Sequence, residues 1–98
     1  MPAEETLARR VIVEGFVQGV GYRHFARRAA LRLGLSGWVR NRADGSVEAL
    51  LSGAPDAIEV LLADLRRGPR GSRVTSLRLA DALGEEWTPG AFEIRPTA

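Results

Sequence analysis

Gly15-Phe16-Val17-Gln18-Gly19-Val20-Gly21-Tyr22-Arg23 joins an apolar, β-branched run, Val11-Ile12-Val13, to an amphipathic helical pattern that begins at once after Arg23. The order is strand, glycine loop, helix. Glycines admit backbone angles that other residues resist, so successive N–H groups can turn inward and form an anion-binding concavity at the positive end of the helix. Arg23, at the loop's exit, adds a planar fork of donors able to grip two phosphate oxygens. The loop matches neither familiar nucleotide pattern. No Gly-Lys-Ser/Thr closes a Walker-type loop, and His24 stands where a dinucleotide fingerprint needs its third glycine. Taken alone, the stretch reads either as an ordinary connector or as an anion site, and Arg23 beside the helix dipole favours the anion.

Outward from this loop, 98 residues with 45% hydrophobic and 27% charged content suit one domain, expected over 1–98, with a single modest core. There is no cysteine and only one histidine, which excludes a disulfide framework, a thiolate nucleophile and a cysteine or histidine metal centre. No cofactor is expected. No apolar run reaches membrane-spanning length, and Met1-Pro2-Ala3-Glu4-Glu5-Thr6 lacks the features of a signal peptide, so a cytoplasmic monomer that engages no membrane is expected. All 14 basic residues are arginine. That reads as an arginine surface for phosphate or nucleic acid, or as arginine-favouring codon usage or selection for stability; the interspersed acids, with no basic run longer than two, favour the second.

Residues 1–7 are expected to fray. Ala8 to Val17 reads as a first strand. Tyr22, Phe25, Ala26, Ala29, Ala30 and Leu33 recur at helical spacing, with His24, Arg27, Arg28 and Arg32 on the opposite, solvated side and Gly34 as a left-handed cap. His24 is thus expected to be a surface residue rather than a base. Leu35 to Asn41 and Val47 to Leu51 form strands joined at Asp44-Gly45. Pro55, Asp56 and Glu59 start a second helix that buries Ile58, Leu61, Leu62 and Leu65 and stops at Gly68-Pro69. Arg73 to Leu83 alternates as a fourth strand, with one break in phase. Phe92 to Arg95 reads as a short edge strand ahead of Pro96.

The order βαββαβ is the split β-α-β plan of α+β ferredoxin-like sandwiches, an antiparallel sheet with both helices on one face, here with an extra C-terminal edge strand. That topology brings the ends of the first two parallel strands to one sheet edge with the first helix's N-terminus. Gln18 to Arg23 and Asn41 then converge. Alternation puts Val39 and Asn41 on the helix side, and Trp38, Arg40 and Arg42 on the other. On spacing alone, Asn41 reads equally as a turn residue before Asp44-Gly45.

Gly15 to Arg23 resembles the first signature of the acylphosphatase family, and Gly37-Trp38-Val39-Arg40-Asn41-Arg42-Ala43-Asp44-Gly45-Ser46-Val47, continuing to Gly53, resembles the second. The likeness extends through Leu33-Gly34-Leu35, the Leu65 to Pro69 stretch and Phe92 to Arg95; the polar N-terminal tail and Gly84 to Gly90 are less typical. It implies hydrolysis of a carboxyl-phosphate anhydride, with substrate phosphate held by the loop of Gln18, Gly19, Val20, Gly21, Tyr22 and Arg23. It also implies that Asn41 holds the attacking water, and that the substrate's own phosphate oxygen accepts the proton. Phosphoryl transfer is mostly positioning and charge stabilisation, which such a site can supply without metal. A carboxylate leaving group, with a pKa of about 4, needs no general acid. The resemblance makes a small acyl phosphate the substrate, with inorganic phosphate or sulfate as competitors.

Two other readings start from the same pattern. A βαββαβ plan and a basic chain also suit an RNA-binding module, but RNA readers stack bases on third-strand aromatics and Ser46 to Leu51 has none, so no nucleic-acid partner is expected. An accessory phosphate- or carbamoyl-phosphate-binding domain is the other, and an end at Ala98 favours the free-standing enzyme.

Overall fold

The computed structural model describes residues 6–98. The expected order is present: β1 (Leu7–Phe16), α1 (Tyr22–Arg32), β2 (Ser36–Asn41), β3 (Val47–Gly53), α2 (Pro55–Arg67), β4 (Arg73–Ala80) and β5 (Phe92–Ile94). Of the tail expected over 1–7, residues 1–5 lie outside the described residues, and Leu7 is already paired with Gly53. The sheet order is β4-β1-β3-β2-β5. β1 runs antiparallel to β3 and β4, and β2 antiparallel to β3. β5, however, is parallel to β2, so the five-stranded sheet is mixed rather than wholly antiparallel. The cause is the route from β4, which lies at one sheet edge. The chain must cross to the other edge, and it arrives beside the start of β2, where Phe92 pairs with Gly37.

Local chemistry explains most boundaries. α1 buries Tyr22, Ala26, Ala29 and Ala30 and ends where Gly34 takes φ +74°, with Leu35 N–H donating to Ala30 O (2.9 Å) and Gly34 N–H to Leu31 O (3.1 Å). This satisfies carbonyls that a helix end leaves open. α2 has Pro55 and Asp56 in its first turn and Arg66 and Arg67 in its last, the order its dipole favours. The phase break in β4 is a bulge. Gly15 pairs with Val74 and Glu14 with Ser76, which leaves Thr75 over. β4 stops at Ala80, short of Leu83, because the Asp81 side chain turns the chain by accepting from Leu83 N–H (2.9 Å).

Val11, Val13, Val39, Val47, Ala49 and Leu51 form one core with both helices. The opposite sheet face has no helix, yet Ile12, Trp38 and Leu50 are buried there too. The chain between β4 and β5 crosses this face, and Trp38 Nε1 donates to Glu86 O at 3.0 Å. Beside Trp38, Glu48 takes charged hydrogen bonds from Arg10 (2.7 Å) and Arg40 (2.8 Å). Arg40 and Arg95 also lie 4.6 and 5.0 Å from the Trp38 ring.

Burial alone would raise the Glu48 pKa, but the bonds from Arg40 and Arg10 outweigh it and hold the carboxyl below its usual range. A depressed folded pKa stabilises the fold above the unfolded value of about 4.3 and ceases to do so as pH falls through the folded value. Glu48→Gln is therefore expected to cost on the order of 1–3 kcal/mol at neutral pH, since it leaves both arginines without their anion. Denaturant melts of both proteins check this, and the difference should shrink as pH falls below about 4.3.

Candidate active site

The strand ends at Phe16, but Val17 stays buried in the core and anchors the chain just before it turns. The three glycines of the opening stretch have two different jobs. Gly15 lies within β1 at φ +127°, where a Cβ would stand 2.1 Å from Arg73 O; it is needed for the close approach of β4. Gly19 (φ +77°) and Gly21 (φ +75°) lie in the loop itself, and a Cβ on either would meet nothing within 4 Å. Glycine is required there by the backbone angle alone, and the space before the loop is open. Gly21 caps α1 with no side-chain hydrogen bond, and no acidic residue occupies the first turn. The N–H groups of Tyr22, Arg23 and His24 precede the first main-chain bond of the helix, Phe25 N–H to Gly21 O (3.0 Å), and lie at the positive end of the dipole, where an anion is favoured.

Two side chains hold this loop from opposite flanks. Gln18 Nε2 donates to Arg42 O and to Ser46 O, both at 2.9 Å, across the hairpin between β2 and β3. On the other side the Tyr22 hydroxyl donates to Leu65 O (2.7 Å) in the last turn of α2. Burial pushes the Tyr22 phenol well up, so it stays a neutral donor. Residue spacing showed neither bond. The sequence marks Gln18 as part of the loop and gives its side chain no partner, though a long amide next to buried Val17 is a signal that it has one.

Asn41 ends β2 opposite Val47, on the helix side of the sheet as alternation requires. Its main-chain carbonyl accepts from Ala98 N–H (3.0 Å). Its side-chain Oδ1 is buried, with no hydrogen-bond partner among the described residues. The clamp from Gln18 to Arg42 O brings the loop beside Asn41. Arg23 is half-buried and, among the described residues, makes no ion pair or hydrogen bond, so its guanidinium is free for a ligand. His24 is exposed, away from the site. The hairpin itself is set by Asp44, whose carboxylate accepts from Ser46 N–H (2.9 Å) and Oγ–H (2.6 Å). Among the described residues no group of three or more His, Asp or Glu could hold a metal.

Known proteins share this chain's sequence and fold. A family model described as acylphosphatase matches residues 9–94. A Koribacter versatilis protein named acylphosphatase is 51% identical over 84% of this chain and 74% of its own length. Another from Azoarcus sp. is 49% identical over 96% and 95%. The crystal structure of acylphosphatase from Bacillus subtilis superposes with TM-score 0.83 at 35% identity, covering 93% of this chain and 99% of that one.

An open loop of N–H donors with a free guanidinium should bind a tetrahedral anion in the native state only. Phosphate at a hundredfold excess over Kd would add about 2.7 kcal/mol, or roughly 10 to 20 °C in melting temperature. Chloride at matched ionic strength should do much less, and Arg23→Ala should lose most of the phosphate-specific rise. Thermal melts of both proteins in the two salts measure it.

Proposed function

The chain belongs to the acylphosphatase family of hydrolases, which act on small acyl phosphates, and on that premise we propose that the Gln18–Arg23 loop binds the substrate phosphate while Asn41 holds the water that attacks it. The observation that carries the assignment is the buried Asn41 Oδ1 without a partner. An orphaned acceptor costs about 1–3 kcal/mol, and a water donating to it removes that cost and points its own lone pair at the neighbouring loop. The neutral amide orients this water and does not deprotonate it.

The reaction is an in-line displacement. The water oxygen bonds to phosphorus as the bond from phosphorus to the acyl oxygen breaks, and the electron pair leaves with the carboxylate. The water's proton passes to a phosphate oxygen. The loop N–H groups and Arg23 stabilise the equatorial oxygens, and the leaving group, with a pKa of about 4, needs no proton. We read the protein as a cytoplasmic monomer with one domain over 1–98 that binds no cofactor or nucleic acid. The cysteine-free chain supports the compartment, and among the described residues no helix is long and apolar enough to cross a membrane. Burial of Trp38 beneath the crossing chain supports the last point, since RNA modules of this plan need exposed aromatics on that face.

Asn41→Ala is expected to lower kcat by on the order of 10² to 10³ while phosphate affinity is kept. Steady-state kinetics with phosphate as competitor separates the two; loss of affinity in step with kcat would make Asn41 a phosphate ligand instead. Arg23→Lys should abolish turnover, because a point charge cannot replace the bidentate grip. Activity should survive exhaustive chelation.

A further inference from the structure

Because β1 lies between β4 and β3, the loop at its end has two flanks. Asn41 and the hairpin form one. The other is the connection from α2 to β4, Arg66-Arg67-Gly68-Pro69-Arg70-Gly71-Ser72-Arg73, which places four arginines in eight residues. This segment is fixed against the loop. The Tyr22 hydroxyl holds Leu65 O (2.7 Å), the residue just before it, and Phe16 pairs with Arg73. The turn is closed by Gly68 N–H on Asp64 O (2.8 Å), and by Ser72 N–H (3.1 Å) and Oγ–H (2.6 Å) on Pro69 O. Arg67 pairs with Asp64 at 2.8 Å. Arg66, Arg70 and Arg73 are exposed and make no ion pair or hydrogen bond among the described residues. Asp56 and Glu59 stand at the far end of α2, and Glu14, exposed and opposite Ser76, makes no ion pair among the described residues. Like charges gathered this way repel, and an anionic ligand would relieve them.

In-line displacement sends the leaving group away from the water. If Asn41 holds that water, as proposed above and on which this inference rests, the acyl group departs from the hairpin flank towards the arginine flank. We propose that Arg66, Arg70 and Arg73 form an acyl-group subsite that selects acyl phosphates whose acyl portion carries a second negative charge, a terminal carboxylate. Exposed guanidiniums recognise such a group through charge-assisted hydrogen bonds, each of modest strength in water.

The test compares two four-carbon substrates, butyryl phosphate, neutral at the acyl end, and succinyl phosphate, which ends in a carboxylate. Each kcat/KM is taken after subtracting the rate without enzyme. At low salt the succinyl-to-butyryl ratio should exceed one, and it should fall as ionic strength rises. Arg70→Ala and Arg73→Ala should each lower the ratio by about two- to fivefold, the scale of one exposed ion pair. Arg78→Ala, farther along β4 opposite Ile12, should leave it unchanged. A ratio of one or less in the unaltered protein, or the same ratio in the Arg70→Ala/Arg73→Ala double variant, overturns the subsite. Normal butyryl phosphate turnover in that case leaves the water and phosphate assignments standing. If neither substrate is hydrolysed, those assignments fall and the subsite with them.

Discussion

A backbone that must aim several unpaired N–H groups at one point cannot be held by main-chain pairing, because those donors are what the pairing would consume. The Gln18–Arg23 loop therefore hangs on side chains. Val17 anchors its start in the core, Gln18 ties it to the hairpin carbonyls of Arg42 and Ser46, and Tyr22 ties its exit to α2 through Leu65 O. Gly19 and Gly21 supply the positive φ angles that let the chain turn between these anchors. The same two hydrogen-bonded anchors fix what stands on either flank, Asn41 on one and the arginine turn on the other. In the proposed reaction, phosphate, water and leaving group share this one frame, which a reaction governed by positioning requires.

Residue patterns disclosed much of that frame. Gly19, Gly21 and Arg23 ahead of a helical stripe marked the loop, Asp44-Gly45 marked the hairpin, and alternation through Val39 placed Asn41 on the helix side. Those are local signals, each confined to a few neighbouring residues. What stayed hidden depends on register between distant segments. Gln18 and Arg42 are 24 residues apart, Arg10 and Glu48 are 38 apart, and Trp38 and Glu86 are 48 apart. Glu48 is one polar residue in an apolar strand, and only the register sets it beside Arg10 and Arg40. Gly15 looked like a third loop glycine, because a glycine needed for strand approach carries the same letter as one needed for a turn. β5 followed from its pattern as an edge strand, but its direction depended on which way the chain crosses the sheet.

That crossing gives the sheet a second buried face without a third layer of helices. Ile12, Trp38 and Leu50 lie under it, and the Glu48 charge is met by two guanidiniums rather than by water. The sheet is stiffened from both sides, while its working edge stays open. Charge follows the same division. On the crossed face Arg10, Arg40 and Arg95 face Glu48 or the Trp38 ring, whereas beside the loop Arg23, Arg66, Arg70 and Arg73 have no such partners among the described residues. A net charge of +2 conceals this asymmetry, which suits an edge that receives anions.

The proposed attack at phosphorus by a water on Asn41 can be followed atom by atom. Hydrolysis of an acyl phosphate in ¹⁸O-labelled water, with both products analysed by mass spectrometry, reports which bond breaks. The label should enter inorganic phosphate, with none in the carboxylate beyond the uncatalysed background. Label in the carboxylate would mean that water attacks the acyl carbon, and that the Asn41 water and the loop do not act on the phosphoryl group together.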